Sequence, residues 1–308
     1  MGTFWDTWRR EIIRGAVLFV SVLVIGLCIY YVGGRAKETI TRDFPAALRD
    51  LRENFDPAVL AGPRTTGETW TYRAKLAPKQ WLWIHNINGS VTVEPGKGDS
   101  LEIAAVKSYT HSDPASVRLV AAPYDGGLAV CALWRRDATA CEPGKSFKLG
   151  AAHGNDVAVD FTVRLPRGVR VGATTVAGGV QVTGASAPVV AATVSGDVDA
   201  ETSEGPVSAV SVNGGVHVRM RAFGDTGAVS LFTVNGPVTA ELPARLDADV
   251  EATTVNGAIT TDYPLTATGK YTSHKLRGTV GAGGRRVHIT TVNGSITLKK
   301  ADTTTTPR

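Results

Sequence analysis

The stretch Val212-Asn213-Gly214-Gly215-Val216-His217-Val218 decides the fold. Asn and Gly accept backbone angles that other residues avoid, so the pair marks a corner in the chain. Beyond it the side chains alternate, Val216 and Val218 to one side and His217 to the other, which is the period of a β-strand. The same seven-residue pattern stands at Ile87-Asn88-Gly89-Ser90-Val91-Thr92-Val93, VAGGVQV from Val176 and VSGDVDA from Val194. It returns as VNGPVTA from Val234, VNGAITT from Val255 and VNGSITL from Val292. From Val176 onward the successive starts lie 18, 18, 22, 21 and 37 residues apart. A strand, a corner and a second strand fill the shorter spacings, so each is one coil of a solenoid whose coils stack about 4.8 Å apart. The last gap holds two shorter turns, or one turn with an insertion around Tyr271–Gly284. A meander of Asn-Gly hairpins is the competing reading. It requires each motif to alternate with a mirrored partner strand, whereas these copies recur in one register.

Stacking gives each column a role. The corner residues Asn88, Gly89, Asn213, Gly214, Asn235, Gly236, Asn256, Gly257, Asn293 and Gly294 are structural. Asn213, Asn235 and Asn256 are expected to form a ladder, their amides bonding between neighbouring coils. The column just before the apolar start (Thr175, Thr193, Ser211, Thr233, Thr254, Thr291) is expected to be an outward hydroxyl ladder.

Toward the N-terminus the pattern changes. Ala16–Val32 is seventeen residues without a formal charge, and Ile12 and Ile13 extend it across Arg14. That length suits a membrane-spanning helix, with Trp5, Trp8, Tyr30 and Tyr31 at its two interfaces. The residues that follow, Gly33-Gly34-Arg35-Ala36-Lys37, are a poor match to a signal-peptide cleavage site, so an uncleaved anchor is expected. Basic residues flank the span almost equally, so they leave its direction open. Ile40, Phe44, Ala47, Leu48, Leu51 and Phe55 make an apolar helical stripe, with Pro45 inside it as a break or kink. The plan is a tail over 1–10, an anchor over 11–34 that meets lipid through 12–32, and a juxtamembrane helix and linker over 35–80. A β-solenoid follows over 81–300, with an insertion at about 111–156 and a polar tail over 301–308. Cys131 and Cys141 lie ten residues apart, a spacing compatible with a disulfide in an oxidising compartment or with two buried thiols.

The stretch Phe161-Thr162-Val163-Arg164-Leu165-Pro166-Arg167-Gly168-Val169-Arg170-Val171, followed by TTVAGGVQV and ATVSGDVDA, closely resembles the bacterial "putative adhesin" β-strand-repeat family. That family is a domain of unknown function, similar to auto-transporter adhesin heads. The resemblance covers about Trp81 to Lys300. It implies an all-β fold, a right-handed parallel β-helix at the cell envelope, and it carries no catalytic residues.

The chemistry-bearing residues agree with a non-catalytic chain that has no cofactor. Pro143-Gly144-Lys145-Ser146 lacks the earlier glycine of a phosphate loop, and Val194-Ser195-Gly196 lacks that of a nucleophile elbow. The six histidines show no metal-ligand spacing. The charge of +5 is scattered, without the basic run and interleaved aromatic residues of a nucleic-acid binder. Asp197, Asp199 and Glu201 alternate along one strand and face outward together, a weak candidate acidic surface with no lysine or arginine at a matching column. The expected function is a membrane-anchored, extracytoplasmic binding, adhesin-like or scaffold module whose partner is an envelope protein or glycan. The alternatives are a polysaccharide lyase or hydrolase built on those carboxylates, and the ectodomain of an envelope-sensing complex.

Overall fold

The computed structural model describes residues 64–134, 141, 154–223, 227–267 and 272–301, all within one compact unit comprising 54–142 and 150–308. The predicted span, the juxtamembrane stripe and the centre of the insertion lie outside the described residues.

Every strand belongs to one of two sheets. The chain enters through β1 (Thr65–Lys75), β2 (Trp81–His85), β3 (Val91–Pro95) and β4 (Ser100–Tyr109). It continues through β5 (Arg118–Tyr124), β6 (Gly127–Leu133), β7 (Ala158–Leu165), β8 (Arg170–Thr174) and β9 (Val180–Ala185). The regular coils use β10 (Val189–Ala192), β11 (Val198–Thr202), β12 (Val207–Val210), β13 (Val216–Met220), β14 (Val229–Asn235) and β15 (Val238–Leu242). The last part contains β16 (Ala248–Asn256), β17 (Ile259–Thr261), β18 (Thr266–Ala267), β19 (Lys275–Val280), β20 (Arg285–Asn293) and β21 (Ile296–Lys300). A ten-stranded sheet runs β1-β4-β7-β3-β9-β11-β13-β15-β21-β17, and an eleven-stranded sheet runs β18-β19-β16-β20-β14-β12-β10-β8-β2-β6-β5. Their inner faces meet in a core of short apolar side chains. Leu82, Ile84, Val171, Val207 and Leu231 come from one sheet, and Val91, Val163, Val198, Val218 and Val238 from the other, all at most 1% exposed. Burial of each contributes about 1.5–3 kcal/mol.

The all-β solenoid expected from the repeat is therefore present, with parallel pairing between successive coils. Val198 pairs with Val216 and Val216 with Val238 in the ten-stranded sheet. Two features differ from the sequence reading. Thr65–Lys75, read as the end of a linker and the run-in to the solenoid, is a strand at the edge of the ten-stranded sheet, antiparallel to β4. More importantly, the coils do not follow chain order at either end. The first coil, β2 with β3, lies between β6–β7 and β8–β9. The last coil, β20 with β21, lies between β14–β15 and β16–β17. The 37-residue gap is explained by this exchange: β18 and β19 form an antiparallel pair outside β16, and the chain then crosses back over β16 to insert β20. Antiparallel strands cap both sheets at the first end and the eleven-stranded sheet at the other, where the parallel β17 is the edge of the ten-stranded sheet.

Candidate functional site

The corner is the most repetitive part of the molecule. Gly89, Gly178, Gly196, Gly214, Gly236, Gly294 and Gly257 form one column, each packed on the backbone of the coil before it. A Cβ on Gly236 would lie 2.1 Å from the Gly214 carbonyl oxygen, and one on Gly294 1.9 Å from that of Gly236. Gly89 does have a left-handed φ of 114°. Gly236, Gly294 and Gly257 lie outside that region, so lack of space, rather than φ, is what all seven share. The carbonyls so exposed are not wasted. Thr233 Oγ1 donates to Gly214 O at 2.7 Å, and Thr193 Oγ1 to Gly178 O at 2.7 Å. Thr254 Oγ1 donates to Gly294 O at 2.8 Å, and Thr291 Oγ1 to Gly236 O at 3.0 Å.

This corrects the expected hydroxyl ladder. Thr175, Thr193, Ser211, Thr233, Thr254 and Thr291 are all buried and point inward at the bend. Strict alternation fails here because consecutive residues both face the core where the chain turns: Thr233 and Val234 are 0% and 1% exposed. The asparagine ladder exists, but Asn293 stands inside it. Asn235 Nδ2 donates to Asn213 Oδ1, Asn293 Nδ2 to Asn235 Oδ1, and Asn256 Nδ2 to Asn293 Oδ1, each at 2.8 Å. Asn88 instead donates to Val157 O at 3.1 Å.

Asp197, Asp199 and Glu201 lie on the outward face of the ten-stranded sheet, and bases do stand opposite them. His217 pairs in register with Asp199 and Arg219 with Glu201. His217 Nδ1 lies 3.2 Å from Asp199 Oδ1, and its Nε2 lies 3.3 Å from Glu241 Oε1. Arg219 Nε donates to Glu241 Oε2 at 2.6 Å, and Arg221 Nη2 to Glu201 Oε1 at 3.4 Å. Asp197 Oδ1 accepts from Gly215 N at 2.7 Å. The Arg219 bond holds the Glu241 carboxyl below the usual carboxylate range. Following the register outward gives two runs of alternating sign, Arg73-Glu102-Arg164-Glu94 and Glu201-Arg219-Glu241-Lys299. Each run sums to zero charge. Strand neighbours about 4.8 Å apart thus neutralise one another along both runs.

The eleven-stranded sheet is different outside. Trp81, Trp83 and His85 alternate with the buried Leu82 and Ile84, so they stand on its outward face. Their rings are stacked in a row, with centroids 5.1 Å and 5.9 Å apart. The Arg170 guanidinium lies over the Trp81 ring at 5.8 Å. Gly172 makes room for Trp83, since a Cβ there would sit 2.1 Å from the indole. His85 is buried against Thr174 Oγ1 at 2.9 Å, and burial pushes its pKa down to about 4, which keeps it neutral. Val190, Ala192 and Phe232 continue this face in the next coils and are at most 7% exposed. The sequence carries no signal for Arg170 or Gly172 at this face, because their places beside Trp81 and Trp83 follow from strand register. Trp134, by contrast, is buried and donates Nε1–H to Val157 O at 3.3 Å. The tryptophan row and the acidic trio occupy different sheets and do not converge.

Cys131 and Cys141 are joined as a disulfide, with Cα atoms 5.8 Å apart. Asp156, fully buried, accepts from the backbone N–H of Thr110 at 2.6 Å, His111 at 3.0 Å and Ser112 at 2.8 Å. Burial alone would raise its pKa, but these donors and Ser112 hold it well below the carboxylate range. Among the described residues no group of three His, Cys, Asp or Glu side chains is arranged to hold a metal ion.

The model of one family, described as Toastrack DUF4097, matches residues 148–299. No curated protein matches the sequence. Among solved structures, a "putative cell adhesion protein" from Clostridium sporogenes is similar at 11% identity, with a TM-score of 0.45, over 76% of this chain and 100% of that chain. A "putative adhesin" from Bacteroides fragilis is similar at 11% identity, with a TM-score of 0.31, over 76% of this chain and 97% of that one.

Proposed function

Residues 148–299 form a Toastrack DUF4097 domain, and from that premise we propose that the chain is a non-catalytic, adhesin-like binding module of the cell envelope. In this reading a right-handed parallel β-helix, the hand that parallel crossovers almost always take, is held at the membrane by the helix over 12–32. The solenoid lies on the extracytoplasmic side. The Cys131–Cys141 disulfide supports that side, because such bonds persist in oxidising compartments.

One observation carries the binding reading: the contrast between the two outward faces. The carboxylates that an acid–base enzyme would use are each engaged by a base or a backbone N–H. The row of Trp81 and Trp83, with Arg170 above the first ring, offers apolar area and a cation together, which suits an envelope glycan or protein segment bearing acidic groups.

The test is capture by the detergent-solubilised full chain from cell-envelope extract, fractionated beforehand into protein and polysaccharide. Saturable retention that Trp81→Ala lowers about tenfold, and Glu201→Gln leaves unchanged, supports the reading. Release of shortened polysaccharide chains, or retention indifferent to Trp81→Ala, sinks it.

A further inference from the structure

The last coil of the chain is an insert with a near-duplicate beside it. Thr290-Thr291-Val292-Asn293-Gly294-Ser295-Ile296-Thr297 repeats Thr253-Thr254-Val255-Asn256-Gly257-Ala258-Ile259-Thr260 with a single change, Ala258 to Ser295. The first of these octapeptides lies within the slot, paired on one side with β14–β15 and on the other with β16–β17. The second forms the outer wall. There Val255 is 57% exposed, while Val292 within the slot is half-buried.

We propose that β20–β21 is an exchangeable strand pair, and that the slot is a self-association site able to receive β20–β21 of a second copy of this chain. The corner motif sets the register of the occupant through the Thr291 hydroxyl on Gly236 O and the Asn293 amide on Asn235. The core then sets its identity. Ile289 and Leu298 fill the slot at 0% and 1% exposure, beside Leu231 and Ala240. The neighbouring β16–β17 has Ala252 and Thr261 at those positions, so moving it into the slot would leave a cavity and bury a hydroxyl. Only β20–β21 fits, whichever copy supplies it.

The connection permits the exchange. Between β19 and β20 the chain must cross β16, two strand spacings, through Gly281, Ala282, Gly283 and Gly284. The three glycines take left-handed φ values of 59°, 73° and 98°. Two exposed carboxylates hold this bend, Asp247 Oδ1 accepting from Ala282 N at 2.8 Å and Asp249 Oδ2 from Gly284 N at 3.2 Å. Opening the bend costs those bonds and leaves every contact inside the slot to be remade by the second copy, the circumstance in which short hinges give swapped dimers.

The test is a cross-link between differently marked full-length chains, each carrying Cys28→Ser and keeping the Cys131–Cys141 bond. Thr239 and Thr297 are register partners on β15 and β21. Chains carrying Thr239→Cys are unfolded together with chains carrying Thr297→Cys, refolded at high concentration in detergent and oxidised. A mixed disulfide dimer about tenfold above a control in which Thr92→Cys replaces Thr239→Cys supports exchange. Equal yields in the two mixtures overturn it. A second chain lacking Ala282, Gly283 and Gly284 keeps two Cα–Cα steps, about 7.6 Å, for the two strand spacings of about 9.6 Å between Val280 and Arg285, so it cannot cross β16 within one copy. A folded dimer by sedimentation supports the proposal, and a folded monomer overturns it; if that chain does not fold, the cross-link alone decides.

Discussion

The corner column and the outward charge column of the ten-stranded sheet both recur once per coil, a few residues apart on the same strands. At the corner the residues hardly vary: seven glycines share one column, with threonine or serine three residues earlier in six coils and Asn86 in the β2–β3 coil, because a carbonyl from the preceding coil fills the space that a side chain would need. On the outward face the residues vary freely in kind, Glu201, Arg219, Glu241 and Lys299 in successive coils, and only their sign alternates. Repetition in a solenoid therefore has two sources: contact with no slack, and charge neutralisation with much slack.

Four measurements would break or sharpen that contrast. Gly236→Ala is expected to cost most, about 3–4 kcal/mol in denaturant unfolding, since its Cβ would lie 2.1 Å from a carbonyl held by the sheet on both sides. A loss under about 1 kcal/mol would show that the coils can spread. Asp156→Asn extends the comparison to carboxylates, setting this buried one against those of the outer face. It should cost about 2–4 kcal/mol at pH 7, because an amide cannot accept all three backbone N–H groups. The sign with pH follows from the depressed pKa. Asp156 contributes its stability above the unfolded carboxylate value, about 4, and loses it as pH falls from there toward the folded value, so the gap to the variant should narrow on acidification. Thr233→Val keeps the shape and strands the Gly214 carbonyl, for about 1–2 kcal/mol by thermal or denaturant unfolding. Glu241→Gln, on the outer face, should cost least, below about 1 kcal/mol and less still in high salt.

How much of this was legible in the sequence follows the same division. The corners were plain because the Asn-Gly motif recurs, and the solenoid came with them. The direction of Thr233 was not, since strict alternation fails where the chain bends. The bases beside Asp199 and Glu201 were missed because His217 and Arg219 match them only across strands, 18 residues later in the chain. The order of the last two coils was illegible for a sharper reason. Two octapeptides that differ at one residue fit the same neighbours through their corners, and only Ile289 and Leu298, judged against Ala252 and Thr261, distinguish them.

Between the rearranged ends, β8–β9, β10–β11 and β12–β13 follow one another in chain order, and their motifs start 18 residues apart. Duplication of one such unit in the gene, for instance Val194–Ser211, would bring its own glycine, hydroxyl and valines, each matched to the coil on either side. The protein would lengthen by one strand spacing, about 4.8 Å, and neither end would register the change. A lineage carrying this fold can therefore change its length in whole coils, by copying or losing one unit, long before point substitution could alter a corner.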